Sequence, residues 1–234
     1  MARNIIAKTL LVLGLLILLM PQQVWAVNPQ VAAGAEHTVL LKRDGTVWIW
    51  GAGSGWPAQV EGLSNVIAIA AGDYHTVVVK GDGTVWAWGD NSMNQLGDGT
   101  TAYQRTPIQV KNLSDVKAVA AGEGHTLALK NDGTVWAWGN ISWVSSYFYI
   151  GDTPKKVSGI ENAIAIAAGG NFSLSIKSGG GVSGWGDNVF GEIGCGFDWV
   201  PSPIDISSNS VYCSNLSMGE IFAISGGYRH SVAI

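Results

Sequence analysis

The stretch "GHTLALKNDGTVWAWG" (Gly124–Gly139) is the third statement of one pattern in this chain. "EHTVLLKRDGTVWIWG" fills 36–51, and "YHTVVVKGDGTVWAWG" fills 74–89 and matches the third copy at 11 of 16 positions. In each copy two apolar runs flank an Asp-Gly pair, a strong hairpin signal between alternating apolar residues. The tryptophans of "TVWAW" fall two apart and share one face of a strand, with Val135 and Ala137 on the other. Both faces are apolar, as expected of a sheet held between two others.

Outward from this core, the pattern continues on both sides. Upstream of each His-Thr lies a small-residue apolar run ending in glycine: "VAAG" (31–34), "VIAIAAG" (66–72) and "VKAVAAG" (116–122). Further runs end at Gly169 and Gly227, and related proline segments begin at Pro57, Pro107, Pro154 and Pro203. These prolines recur about 50 residues apart, within the range of propeller blades and related arrays. Four short strands per repeat, radially arranged, predict an all-β fold, a β-propeller. The units fall approximately at 31–63, 64–113, 114–160 and 161–218, with a partial one at 219–234.

The repeat residues read as scaffold. Trp48, Trp50, Trp86, Trp88, Trp136, Trp138 and Trp185 hold the Trp-x-Trp positions, and such regular placement points to packing between blades. His37, His75, His125 and His230 each stand three residues after the glycine ending an apolar run, and Phe172 takes that place in the fourth unit. Equivalent positions lie around a ring, too far apart to meet one metal at ~2 Å. One histidine per blade is expected to hydrogen-bond backbone and fix a turn. No metal, cofactor or catalytic group is expected: there is no nucleophile elbow, metal-ligand pair or phosphate loop.

Residues 1–26 stand apart. Arg3 and Lys8 precede the apolar run "TLLVLGLLILLM", and "PQQVWA" closes with Val24 and Ala26, the small-residue pattern of a cleaved signal peptide. The run is shorter than the ~20 residues of a membrane span. An exported chain from Val27 onward is therefore expected, periplasmic, extracellular or at the cell surface, with no membrane association after cleavage. Loss of those two basic residues makes it more acidic than the whole chain's net charge of −4. Without clustered Lys and Arg it is a poor candidate for nucleic acid. Cys195 and Cys213 are the two cysteines, and export favours a disulfide between them, with free buried thiols the alternative.

The extended pattern "AAGxxHTxxLKxDGTVWxWGxNxxxQLGxG…P" resembles the regulator of chromosome condensation repeat. It is fullest at 70–110 and runs through the rest of the chain after residue 26. The resemblance implies a seven-bladed propeller, of which about four and a half repeats are present. A further implication is protein binding through blade loops. The family's founding member is a guanine-nucleotide exchange factor, a role that export and an acidic surface argue against. An arc of four and a half blades leaves strand edges open, so a longer gene product, pairing with another chain (self-association included), or a distorted smaller ring is expected.

Individual function should sit where the pattern breaks. The third unit carries "SWVSSYFYI" (142–150), and Trp143, Tyr147, Phe148 and Tyr149 have the composition of an aromatic binding loop or, alternatively, of an outer strand. The fourth unit's extension from Cys195 to Cys213 bears Phe197 and Trp199. Both insertions follow corresponding strands and are expected on one face of neighbouring blades. The leading expectation is a non-catalytic, exported protein-binding scaffold with a protein partner. The competing class is a secreted hydrolase or lyase acting on polysaccharide through a loop-built site.

Overall fold

The computed structural model describes residues 27–143, 146–194, 196, 199–206 and 221–234. The leader, Cys195, Phe197 and Cys213 lie outside the described residues, and with them the signal-peptide and disulfide expectations. The described residues form strands and turns with no helix. The first sheet runs β1 (Gln30–Ala33), β2 (His37–Leu41), β3 (Val47–Gly51), β4 (Ser54–Gln59), each paired antiparallel with the next. The second contains β5 (Val66–Ala71), β6 (His75–Lys80), β7 (Val85–Gly89) and β8 (Gln104–Gln109). The third contains β9 (Val116–Ala121), β10 (His125–Lys130), β11 (Val135–Trp143) and β12 (Ser146–Lys156). The fourth contains β13 (Ala163–Ala168), β14 (Phe172–Lys177), β15 (Val182–Asp187) and β16 (Trp199–Asp205). A two-stranded sheet, β17 (Ile224–Gly226) with β18 (Ser231–Ala233), follows. This is the repeated four-stranded blade of a propeller.

The turn chemistry explains each hairpin. Gly133 adopts φ +79°, which glycine reaches without strain. Beside it the Asp132 carboxylate accepts from the Thr134 backbone N–H (2.9 Å) and hydroxyl (2.7 Å). The same hydroxyl accepts the indole N–H of Trp136 at 3.2 Å. Asp44–Thr46–Trp48 and Asp82–Thr84–Trp86 repeat the arrangement. Lys42, Lys80 and Lys130 lie over the matching indole rings, at 3.8, 5.4 and 5.4 Å from their centroids. The hydrogen bonds from threonine lower the pKa of all three aspartates.

First strands of successive sheets touch one another and gather around the axis. The glycine ending each run allows this approach. A Cβ on Gly122 would lie 2.5 Å from the Gly169 carbonyl oxygen and 2.6 Å from Nδ1 of His125. Backbone bonds also cross the gaps, such as Glu123 N–H to the Gly170 carbonyl (2.9 Å). Away from the axis the interfaces are apolar. Val77, Val79, Val85, Ala87 and Leu96 of the second unit meet Ala128 and Trp138 of the third, with Trp136 packed against the cluster. Each fully buried aliphatic chain there contributes about 1.5–3 kcal/mol. The tryptophans thus face the preceding sheet.

Candidate functional site: a groove between two outer strands

The histidines form a ladder between sheets. Nε2 of His37 lies 3.0 Å from the Thr76 hydroxyl, Nε2 of His75 3.0 Å from that of Thr126, and Nε2 of His125 3.0 Å from that of Ser173. Each partner is the residue just after the next unit's histidine (or Phe172), so the ring ties one blade to the next through a side chain. Sequence reasoning placed that bond on the backbone of a turn, because a partner about 50 residues away leaves no local trace. Burial lowers the pKa of His75 to about 3, with the neighbouring His125 and His37 acting in the same direction, and that of His125 to about 4. Burial also lowers that of His37. Neutral rings locked in an interface are unsuited to proton transfer near neutrality. His230, in the connection just before β18, is exposed.

Around the axis, Gly and Ala backbones of all five sheets surround a shallow depression at whose rim stands Asp73. Partial burial raises the pKa of its carboxyl. Among the described residues no three His, Cys, Asp or Glu side chains converge to hold a metal.

The pattern-breaking segments place their outer strands side by side. A groove of about 290 Å³ lies between the third and fourth sheets, lined by Ala137, Ile150 and Val157 on one side and Trp185, Trp199, Val200, Pro201 and Pro203 on the other. Lys155 and Lys156 stand at its rim, both exposed. Trp199 pairs with Asp187 in the ladder and is half-buried, so it presents part of its indole to the groove. Ile150 closes the aromatic run of the third unit. An apolar cleft with a cationic rim and a partly exposed indole has the composition of protein-binding surfaces.

The structure distributes the proposed contact residues unevenly. Trp199 reaches the groove. Trp143, Tyr147, Phe148 and Tyr149 lie on backbone that pairs β11 with β12, with Trp143 opposite Ser146, Ser142 opposite Tyr147, Ile141 opposite Phe148 and Asn140 opposite Tyr149. The segment is therefore a lengthened strand pair beside the groove. Ile150, Val157, Pro201 and Pro203 also line the groove, although sequence reasoning did not single them out. Their signal was available: the proline segments recur in every unit, so any outer strand that changes composition changes the rim between two blades.

Comparison with known proteins agrees with this architecture. Family models for the regulator of chromosome condensation (RCC1) repeat match residues 82–129 and, in a second form, 30–54, 66–95 and 163–192. No curated protein matches the chain in sequence. Prp20p of Saccharomyces cerevisiae, whose structure was reported with its binding properties to Gsp1p and histones, superposes with a TM-score of 0.74 at 23% identity over 88% of this chain. Human WBSCR16 does so with a TM-score of 0.73 at 20% identity, also over 88%. The ectodomain of the Arabidopsis thaliana receptor kinase ACR4 reaches 0.51 at 16% identity over 87%. The chain spans 56% of the Prp20p chain, 57% of WBSCR16 and 58% of the ACR4 ectodomain. With glycine-ended inner strands, Asp-Gly hairpins and Trp-x-Trp strands recurring in register from sheet to sheet, the chain belongs to the family of RCC1-repeat proteins.

Proposed function

We infer that this protein is an exported, non-catalytic scaffold that binds a protein partner along the groove between β12 and β16. The observation that carries this reading is the joining of two departures from the repeat, the third unit's tail and the fourth unit's extension, at one apolar cleft. A repeat scaffold holds its own residues for packing, so freedom to recognise a partner resides where the pattern is given up. The neighbour Prp20p was studied for binding to protein partners, which supports the same class of function here. Export rests on the leader at 1–26, with its basic start, apolar centre and Val24–Ala26 ending.

The partner that best suits the cleft is an extended segment with apolar side chains and an acidic flank, facing Lys155 and Lys156. Trp199→Ala should weaken capture of such a partner from an extracellular or envelope fraction by at least tenfold, the loss of ~1.4 kcal/mol or more expected of an aromatic anchor. Thermal unfolding should change little. A photo-crosslinker at position 156 should label the same species, whereas one at exposed Tyr103 should not. Equal capture by the variant, or equal labelling from Tyr103, would overturn the groove assignment.

A further inference from the structure

We propose that the groove between β12 and β16 recognises a leucine-type residue, in a peptide segment of the partner, through two hydrogen-bond donors. These are the indole N–H of Trp185 and the backbone N–H of Ser158, and they take the carbonyls on either side of that residue. Such recognition rests on the groove being the binding site and specifies the chemistry read there.

One junction earlier, the corresponding place is filled by the chain itself. The turn Gln95–Leu96–Gly97 of the second unit lies against the third sheet. Its Gln95 carbonyl accepts the indole N–H of Trp138 at 2.8 Å, and its Gly97 carbonyl accepts the backbone N–H of Lys111 at 3.2 Å. Between these two carbonyls Leu96 is fully buried, in one cluster with Val110 and Trp138. A donor on each side of an apolar seat thus holds one aliphatic side chain in place.

The third unit gives this turn up. Where the second has "DNSMNQLGDGT" (90–100), the third continues into the β11–β12 pair and carries no Gln-Leu-Gly. Val157, Ser158 and Trp185 are the counterparts of Val110, Lys111 and Trp138, and all three line the groove. Val110 is 2% exposed, whereas Val157 is only half-buried and Ser158 is exposed. No residue among those described accepts the indole N–H of Trp185, and its nitrogen is not sealed from solvent. An occupant that covered this N–H without an acceptor would leave a buried donor unmet, which is costly, so the occupant brings a carbonyl. An apolar space of ~150 Å³ already holds a benzene ring. The groove, at about 290 Å³, therefore has room for a leucine side chain. Exposed Lys156 at the rim favours an acidic residue beside it. Pro201 and Pro203 of β16 offer no N–H, which interrupts strand addition along that edge and leaves recognition to the two donors.

The test selects short random peptides, displayed on phage, against the full chain. Enriched peptides are expected to share a single Leu, Ile or Met with an acidic neighbour. Binding of such a peptide should shift the indole N–H resonance of Trp185 and slow exchange of the Ser158 amide. Ser158→Pro removes only the second donor, because Gly159 at φ +81° makes position 158 the place in the turn where proline fits. That variant and Trp185→Phe should each bind the peptide at least tenfold more weakly, and thermal unfolding should change little for Ser158→Pro. Enrichment of no such consensus, or parental affinity in either variant, overturns the proposal. Should Trp199→Ala alone abolish binding, the groove remains the site and only the two-donor reading falls.

Discussion

The junction between the second and third sheets and the one between the fourth and fifth share a plan but differ at the histidine position. At the former, His75 reaches Thr126, and the Gln95 carbonyl takes both a hydroxyl and an indole. At the latter, Phe172 stands where a histidine would, and the Glu192 carbonyl takes the Ser231 hydroxyl alone among the described residues. The backbone bond to the next inner-strand glycine persists there, from Gly170 N–H to the Gly227 carbonyl (3.2 Å), as Asp73 N–H bonds the Gly122 carbonyl at the former (3.4 Å). The contacts between blades are therefore separable. Glycines set the approach and hydroxyls hold register at both junctions, and at the former the ring of His75 and the indole of Trp138 add further bonds.

Three perturbations sharpen this contrast. The largest effect should come from Trp138→Ala, which empties a fully buried site and strips a donor from Gln95, at a cost of about 3–5 kcal/mol. Trp50→Ala, at the equivalent place in the first sheet, should cost well under half of that, because Trp50 is only half-buried and no preceding sheet covers it among the described residues. Denaturant unfolding of the two variants measures the gap, and equal losses would defeat the claim that inter-sheet burial is what these tryptophans supply.

Next comes Gly122→Ala. The added methyl meets the Gly169 carbonyl and the His125 ring, so two blades must separate, at about 1–3 kcal/mol. The position needs glycine for want of space, and a variant as stable as the parent would show that the axis is looser than these contacts require.

The smallest effect at neutral pH, about 1 kcal/mol, is expected for His125→Phe, which copies the natural Phe172 and removes the bond to Ser173. Its signature is the pH profile. His75 and His125 titrate at about 3 and about 4 in the fold against 6.5 for a free side chain. Below about pH 6.5 the unfolded chain binds protons that the folded one refuses. Stability is thus complete above that value and declines as pH falls, by up to ~1.4 kcal/mol per pH unit for each buried histidine. The His125→Phe chain should lose stability less steeply between pH 6.5 and 4, as chemical denaturation at a series of pH values would show. Parallel profiles would rule out the buried ring as the source.

Much of the fold was legible because its determinants are local and repeated. Asp132-Gly133 announces a hairpin from its own turn chemistry, and the two-residue spacing of Trp136 and Trp138 puts both on one face wherever the strand lies. The groove was legible in part. Trp199 stood out as a break in the pattern, whereas Ile150, Pro201 and Pro203 resembled ordinary spacer residues. Their role depends on which outer strand lies beside which, and Ile150 and Pro201 are brought together only when two sheets pack. Likewise "SWVSSYFYI" could be read as loop or strand, since short aromatic runs favour both. Pairing between β11 and β12 decided for the strand.

The sequence by itself determined the repeat, its four-strand content and the positions that depart from it, because turn preference and alternation act over a few residues. Tertiary structure alone decided that His75 binds Thr126, that Gly122 abuts Gly169, and that two outer strands share a cleft. Those contacts join residues about one repeat apart, and only the packing of one sheet against the next brings them within reach.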